Sequence, residues 1–339
     1  RPLIFVGGGA LDAGEHVMRV AEMLDAPVVT GKMGQGTIDG RHRLSVTTPG
    51  GYRFWAEADV VLAVGTRLQA PQQAWGMDDD LKIVRIDIDS TELDRHRRPE
   101  IGIIGDAAPT MKALAERLGK YNVKRNGRAE AVAQTKAAAA KAIGDRLAPQ
   151  LTYLGAIRRA LPDDGILVDE LTQIGYAARF AYQTYKPRTF LSPGYQGTLG
   201  WGYATALGVK VAKPDTPVVS ISGDGGFLFT AMEMSTAAQN GIGAVAVVFS
   251  DGAYGNVKRI QQQAFNNRTI ASDLHNPDFV KLAESFGIAS ERVKSPAELE
   301  AALKRGVAKG APMLIDCPMG ELPDPWLLVQ VPRVRPRKS

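Results

Sequence analysis

The chain has 339 residues, 45% hydrophobic and 23% charged, enough apolar material for two full cores in an ordinary globular composition. Its formal net charge is +5, but four basic groups (Arg333, Arg335, Arg337 and Lys338) crowd the last seven residues, and without them the balance is about +1. That leaves no basic face for nucleic acid, and no apolar run reaches the roughly 18 residues that cross a bilayer. The single cysteine, Cys317, excludes an intrachain disulfide framework and fits a reducing, cytoplasmic compartment. The opening RPLIFVGGGA is neither a signal peptide nor an initiator start, so the chain is expected to be a piece of something larger.

Strand-like apolar runs alternate with helical patterns, which predicts βαβ units and parallel sheets. "PLIFVG" precedes a helix through "GEHVMRVAEML"; "PVVT", "ADVVLAVGT" and "KIVRIDID" follow, then the helix "APTMKALAERLG". Residues 1–120 are thus expected to form one α/β domain. Gly7-Gly8-Gly9 lacks the Gly-x-Gly-x-x-Gly spacing and reads equally as a tight turn. Residues 121–149, rich in Ala, Lys and Arg, read as a helical linker.

Residues 150–325 repeat the alternation: the helix "TYLGAIRRALP", then the strands "GILVDE", "PVVSIS", "AVAVVFS" and "PMLIDC". The helix "NPDFVKLAESFG" has an Asn-Pro start, and "SPAELEAALKRGVAKG" has Ser295 as N-cap with Glu298 completing a capping box. The fold class expected is α/β: two three-layer α/β/α domains with mainly parallel sheets, followed by a solvated basic tail over 326–339. Cys317 lies in an apolar strand and reads as inert. His16, His42, His96 and His275 show no metal spacing and read as surface or cap residues.

Chemistry is expected where two strands end. Asp224 follows "VVSIS" and Asp251 follows "AVAVVFS", each beside glycines. On neighbouring parallel strands the two carboxylates converge at the carboxyl edge, where such sheets bind ligands. Paired carboxylates suit Mg²⁺, which takes a few acidic ligands together with phosphate oxygens. Gly225 and Gly226 leave backbone N–H groups uncovered for a diphosphate. The alternating ligands of a calcium-binding EF-hand are absent.

Gly223-Asp224-Gly225, the interval of about 27 residues, and the strand end at Asp251 resemble the metal and diphosphate motif of thiamine-diphosphate enzymes, in particular the acetolactate synthase-like family. Glu233 and Ala237-Ala238 match the interior of that motif, whereas Ser250-Asp251 stands where the family usually has two asparagines. The resemblance implies Mg²⁺ held by Asp224, Asp251 and the backbone carbonyl of Ala253. It implies thiamine diphosphate held by Gly223, Gly225, Gly226 and Gly255, with Thr172, Gln173 and Tyr254 nearby. In "SPGYQGTLGWGYATALG" it places Gly197 and Leu199 against the aminopyrimidine, Leu199 wedging the cofactor into a V shape.

The first half resembles the family's central domain, which binds FAD in some members and another nucleotide or nothing in others; Arg67 and Asp87 fall where flavin contacts occur. The activating glutamate of the family belongs to an N-terminal domain and is not in this chain, so the polypeptide alone is expected to be inactive. The resemblance implies a lyase or transferase acting on a 2-oxo acid, as a homodimer or homotetramer. Acetolactate synthases carry a tryptophan soon after the metal loop, where this chain reads "YGNVKRIQQQ", which leaves the substrate open. Two other readings stand beside it: an acyl-CoA lyase of the same superfamily, and a non-catalytic nucleotide-binding and dimerisation module.

Overall fold

The computed structural model describes residues 1–121, 127–194 and 196–335. Residues 122–126 of the expected linker, and Arg337 and Lys338 of the expected tail, lie outside the described residues. The chain divides into two compact units. The first comprises Arg1–Arg146, Gln183–Arg188 and Trp326–Ser339, and the second Leu147–Tyr182 and Thr189–Pro325.

In the first unit the apolar runs form a six-stranded sheet: β1 (Pro2–Val6), β2 (Val28–Thr30), β3 (Ser45–Val46), β4 (Val60–Val64), β5 (Lys82–Asp87) and β6 (Ile101–Ile104). The order is β3-β2-β1-β4-β5-β6, every pairing parallel. The chain winds one way from β1 and returns past it to β4, so the crevice between their carboxyl ends is a switch point. Gly7-Gly8-Gly9 fills that end structurally: a Cβ on Gly7 would lie 2.5 Å from the Gly65 carbonyl oxygen. The core beneath is anchored by Phe5, Trp55 and Trp75, whose ring centroids lie 5.9–6.3 Å apart at angles of 58–88°. Each such pair is worth about 0.5–1.5 kcal/mol beyond its buried area.

The second unit holds β7 (Ile166–Asp169), β8 (Phe190–Leu191), β9 (Val218–Gly223), β10 (Val245–Ser250), β11 (Ala289–Arg292) and β12 (Met313–Pro318). Their order is β11-β12-β10-β9-β7-β8, again all parallel. The central strands β7, β9 and β10 are buried along almost their whole length, as sheets covered on both faces require. Tyr203, Phe227 and Phe279 pack in series, their ring centroids 5.2 and 6.0 Å apart at interplanar angles of 55° and 74°. The fold class is therefore two α/β/α layers, as the strand–helix alternation predicts.

Three local expectations need correction. The helix after the linker does not start afresh past Pro149: one helix runs Ala129–Ala160, interrupted by a non-helical Leu147 (φ −118°, ψ 25°). A proline cannot donate to the turn before it, and the break falls two residues ahead of Pro149. The helix Phe279–Ser285 is capped by Asp278, which accepts from Val280 and Lys281 N–H, so Asn276 is not its cap.

The tail is the third correction, because Arg335 is buried rather than solvated. Its Nε donates to the Trp55 carbonyl at 2.7 Å, its Nη1 pairs with Asp78 at 2.7 Å, and its Nη2 bonds the Ala58 carbonyl. The helix Thr48–Glu57 leaves its last carbonyls without partners, and the Arg335 guanidinium supplies them with donors. Residues 183–188, expected in the second domain, also belong to the first unit. Thr184 bonds Gln35 at 3.0 Å and Arg188 grips Asp12 through two 2.7 Å bonds.

Candidate functional site

In the second unit β9 and β10 pair directly, with Gly223 opposite Phe249, so both strand ends open at the same edge. Asp224 comes one residue after β9 and Asp251 one residue after β10. Both line a cleft of about 220 Å³ together with Thr172, Gln173, Leu199, Gly223, Gly225, Gly226, Ala253, Tyr254 and Gly255. Of the residues singled out by sequence, Gly197 alone is absent from that lining. It sits in a left-handed turn (φ +63°) just ahead of Leu199.

Asp224 is 1% exposed and receives three N–H donors. Its Oδ1 accepts from Gly225 N–H at 2.8 Å, and its Oδ2 from Gly252 N–H at 2.7 Å and Asn276 Nδ2 at 2.6 Å. The Gly225 amide, expected to face a diphosphate, is thus donated to the neighbouring carboxylate. Asn276 turns its amide nitrogen to Asp224 because an oxygen there would face a carboxylate oxygen; its own Oδ1 is buried with no hydrogen-bond partner among the described residues. Asp251 accepts only weakly from Ala253 N–H at 3.2 Å. Burial first, and the charge of Asp224 second, push its carboxyl up to about 6. A buried carboxylate beside a half-buried one that has a single weak donor is a poor arrangement for an empty protein and a good one for a cation.

The loop beyond β10 is tied down by Tyr254 N–H to the Ser272 carbonyl and Leu274 N–H to the Gly252 carbonyl, both 2.8 Å. Neither bond uses the Ala253 carbonyl, which stays available as an oxygen ligand. Among the described residues no group of three or more His, Cys, Asp and Glu side chains is placed to hold a metal. A cation here would find two carboxylates and one backbone carbonyl, leaving the rest of its coordination to a ligand's oxygens, a set that suits Mg²⁺ beside phosphates. Ser250, at the place of the family's first asparagine, faces away: its Oγ donates to Asp316 of β12 at 2.8 Å.

Three of the cleft glycines, Gly225, Gly226 and Gly255, leave no free space for a Cβ, whereas Gly223 has ordinary clearance. A Cβ on Gly225 would lie 2.4 Å from the Tyr254 ring, one on Gly226 2.2 Å from Glu170 Oε1, and one on Gly255 2.8 Å from Asp251 Oδ2. Gln173, one wall of the cleft, is oriented by the buried Arg259, whose Nη1 donates to Gln173 Oε1 at 3.2 Å while Nη2 donates to the Leu322 carbonyl at 2.9 Å. Sequence reasoning missed Glu170, Tyr176, Arg259 and Asn276. Glu170 carried a signal, an acid just beyond the buried strand Ile166–Asp169; the hydrogen bonds of Arg259 and Asn276 join segments far apart in sequence.

In the first unit a cleft of about 300 Å³ opens at the switch point, lined by Gly9, Gly65 and Thr66 and by charged groups including Arg67, Asp87, Asp89 and Glu92. Arg67 and Asp87 both line it. Arg67 lies 3.4 Å from Glu92, and Asp89 caps the helix Ser90–Leu93.

Comparison with known proteins is consistent with this geometry. Residues 1–114 match the family model for the central domain of thiamine pyrophosphate enzymes, and residues 172–317 the model for their C-terminal TPP binding domain. The chain is 31% identical over 345 residues to a probable acetolactate synthase large subunit of Methanococcus aeolicus and 33% identical over 339 residues to one of Methanocaldococcus jannaschii. It is 32% identical over 323 residues to a probable 2-ketoarginine decarboxylase of Pseudomonas aeruginosa. Each alignment covers 93% of this chain and 57% of the relative, so the chain spans a little over half the length of these proteins. No helix among the described residues is long and apolar enough to cross a membrane.

Proposed function

The chain belongs to the thiamine pyrophosphate enzyme family, acetolactate synthase-like, and from that premise we propose that it is the central and diphosphate-binding part of a Mg²⁺-dependent 2-oxo acid decarboxylase or carboligase. The observation that carries the proposal is the pair Asp224 and Asp251, set at the ends of adjacent strands and facing one cleft. In this reading Asp224, Asp251 and the Ala253 carbonyl hold Mg²⁺. The backbone at Gly223, Gly226 and Gly255 leaves room for the diphosphate, Thr172, Gln173 and Tyr254 border it, and Leu199 shapes the cofactor. Bound thiamine diphosphate supplies a thiazolium carbanion, a nucleophile and electron sink for loss of carbon dioxide from a 2-oxo acid.

The chain's own contribution is to bind, orient and neutralise. The two carboxylates would hold the cation, whose positive charge would offset the diphosphate's, and the apolar wall at Leu199 keeps water from the reacting ring. We assign the pyrimidine-activating glutamate to a domain outside residues 1–339, so this polypeptide binds the coenzyme but does not turn over alone. A homodimer or homotetramer and a cytoplasmic setting complete the proposal. The relatives' names, an acetolactate synthase and a 2-ketoarginine decarboxylase, support the class of reaction without selecting a substrate.

In the first unit, the carboxylates of Asp87 and Asp89 offer acceptors for sugar hydroxyls, and Arg67 is the basic side chain of the lining; FAD is the candidate ligand there. A yellow protein with flavin absorption supports that ligand, and a colourless one that gains none when FAD is added removes it.

Calorimetric titration with thiamine diphosphate, with and without Mg²⁺, tests the main reading. Binding that requires Mg²⁺ is expected. Absence of coenzyme binding, with retained FAD or ADP binding, leaves instead a non-catalytic nucleotide-binding module.

A further inference from the structure

Glu170 lies one residue past β7, is 0% exposed, and no ion pair reaches it among the described residues. Its Oε1 accepts from Gly200 N–H at 2.8 Å, and its Oε2 from Gly202 N–H at 2.8 Å and Ser222 Oγ at 3.0 Å. Gly200 directly follows Leu199 and caps the helix Trp201–Ala212 in a left-handed conformation (φ +81°). The carboxylate also bounds the opposite turn: a Cβ on Gly226 would meet Glu170 Oε1 at 2.2 Å and Leu199 Cδ2 at 3.7 Å. One buried side chain therefore accepts two backbone amides of the Leu199–Gly202 turn and the Ser222 hydroxyl near the end of β9, and it packs against Gly226 of the Asp224–Gly226 turn.

Burying a carboxylate without a cation is costly. Burial indeed pushes its carboxyl above the usual range, against the pull of its three donors. A leucine would fill the space, but it would leave the first amides of the helix Trp201–Ala212 with no acceptor. The anion also sits at that helix's N-terminus, where its peptide dipoles favour negative charge. What the carboxylate provides is fixed spacing between two turns.

We propose that Glu170 is the positioning residue of the coenzyme site, holding the Leu199 wedge and the Gly225-Gly226 turn at a set separation; this rests on the thiamine diphosphate reading above. Glu170 does not line the cleft itself, and it acts through the Leu199–Gly200 peptide, whose N–H it holds.

The test is Mg²⁺-dependent binding of thiamine diphosphate by calorimetry to wild type, Glu170→Gln, Leu199→Ala and the double variant. Glutamine keeps the size but turns an NH₂ group toward the Gly200 or Gly202 N–H. The expected loss of affinity is about 10–100-fold for Glu170→Gln, as for other residues that orient a site from behind it. Its loss and that of Leu199→Ala are expected to be non-additive, because both act on one turn. Hydrogen exchange is expected to quicken at Gly200 and Gly202 while the rest of the sheet stays protected.

Unchanged affinity in a folded Glu170→Gln, or strictly additive losses, overturns the inference and leaves the coenzyme reading standing. A wild type that binds no thiamine diphosphate overturns that reading and this inference with it. Should Glu170→Gln not fold, Ser222→Ala takes its place in the same cycle. It removes one donor to the carboxylate, and the expected loss is several-fold, again non-additive with Leu199→Ala; no loss overturns the inference.

Discussion

The Asp224 carboxylate accepts the Gly252 backbone N–H at 2.7 Å, so the side chain that ends β9 holds the loop that carries Asp251. The two acidic strand ends are therefore one mechanical unit. A change at Asp224 moves the backbone on which Asp251 is mounted, and the two positions are expected to couple.

Asn276 is the third member of that unit, donating to Asp224 Oδ2 at 2.6 Å. Asn276→Ala frees the carboxylate to rotate away from the cleft. Its Mg²⁺ requirement, read as the concentration giving half-maximal thiamine diphosphate binding, is expected to rise about 10-fold or more. An unaltered requirement shows that Gly225 and Gly252 suffice to orient Asp224.

The metal-free protein is expected to lose stability as pH rises through the Asp251 titration. The folded-state carboxyl is raised to about 6, above its value in the unfolded chain, so the native state binds the proton more tightly. The benefit is full below about pH 4 and gone above about pH 6. Thermal unfolding without divalent cations checks this: Asp251→Asn is expected to flatten the dependence between pH 4 and 7. Added Mg²⁺ is expected to raise the wild-type midpoint most at pH 7, above the Asp251 titration.

Gly225→Ala is expected to damage the cleft more than the fold. The new methyl meets the Tyr254 ring at 2.4 Å, and the ring must swing away from the wall it forms. Overpacking of this kind costs about 1–3 kcal/mol. Coenzyme affinity by calorimetry is expected to fall further than that stability loss explains, and full affinity would show that the ring moves freely.

Arg335→Ala tests the seating of the chain's end. The substitution leaves Asp78 and the carbonyls of Trp55 and Ala58 without their buried donor. A loss of about 3 kcal/mol is expected in denaturant unfolding followed by tryptophan fluorescence. Stability within 0.5 kcal/mol of wild type, about the spread of neutral surface changes, would return this segment to a solvated tail.

The two sheets and the acidic pair were legible because each is written locally. Val218–Gly223 and Val245–Ser250 are apolar runs that end on a glycine or serine followed by aspartate, and parallel strands bring such ends to one edge. The strands missed, β3, β6, β8 and β11, are the four sheet edges. Two of them have two residues, β11 reads Ala-Ser-Glu-Arg, and β6 is exposed throughout, so none is a buried apolar run of ordinary strand length.

The remaining misses share one cause. Asn276 reaches Asp224 across 52 positions and Arg335 reaches Trp55 across 280, and no local periodicity encodes such a bond. Asn-Pro reads as a helix start by rule. Here the nearby Asp278 takes the capping role and releases Asn276 to bond Asp224.

Anomalous diffraction from crystals grown with Mn²⁺ and thiamine diphosphate tests the central claim most directly, since Mn²⁺ accepts the oxygen ligands of Mg²⁺ and can be located by its own scattering. One peak is expected, about 2.1–2.2 Å from a carboxylate oxygen of Asp224, one of Asp251 and the Ala253 carbonyl oxygen. A bound coenzyme whose metal avoids either aspartate, or no peak in this cleft at saturating Mn²⁺, would contradict it.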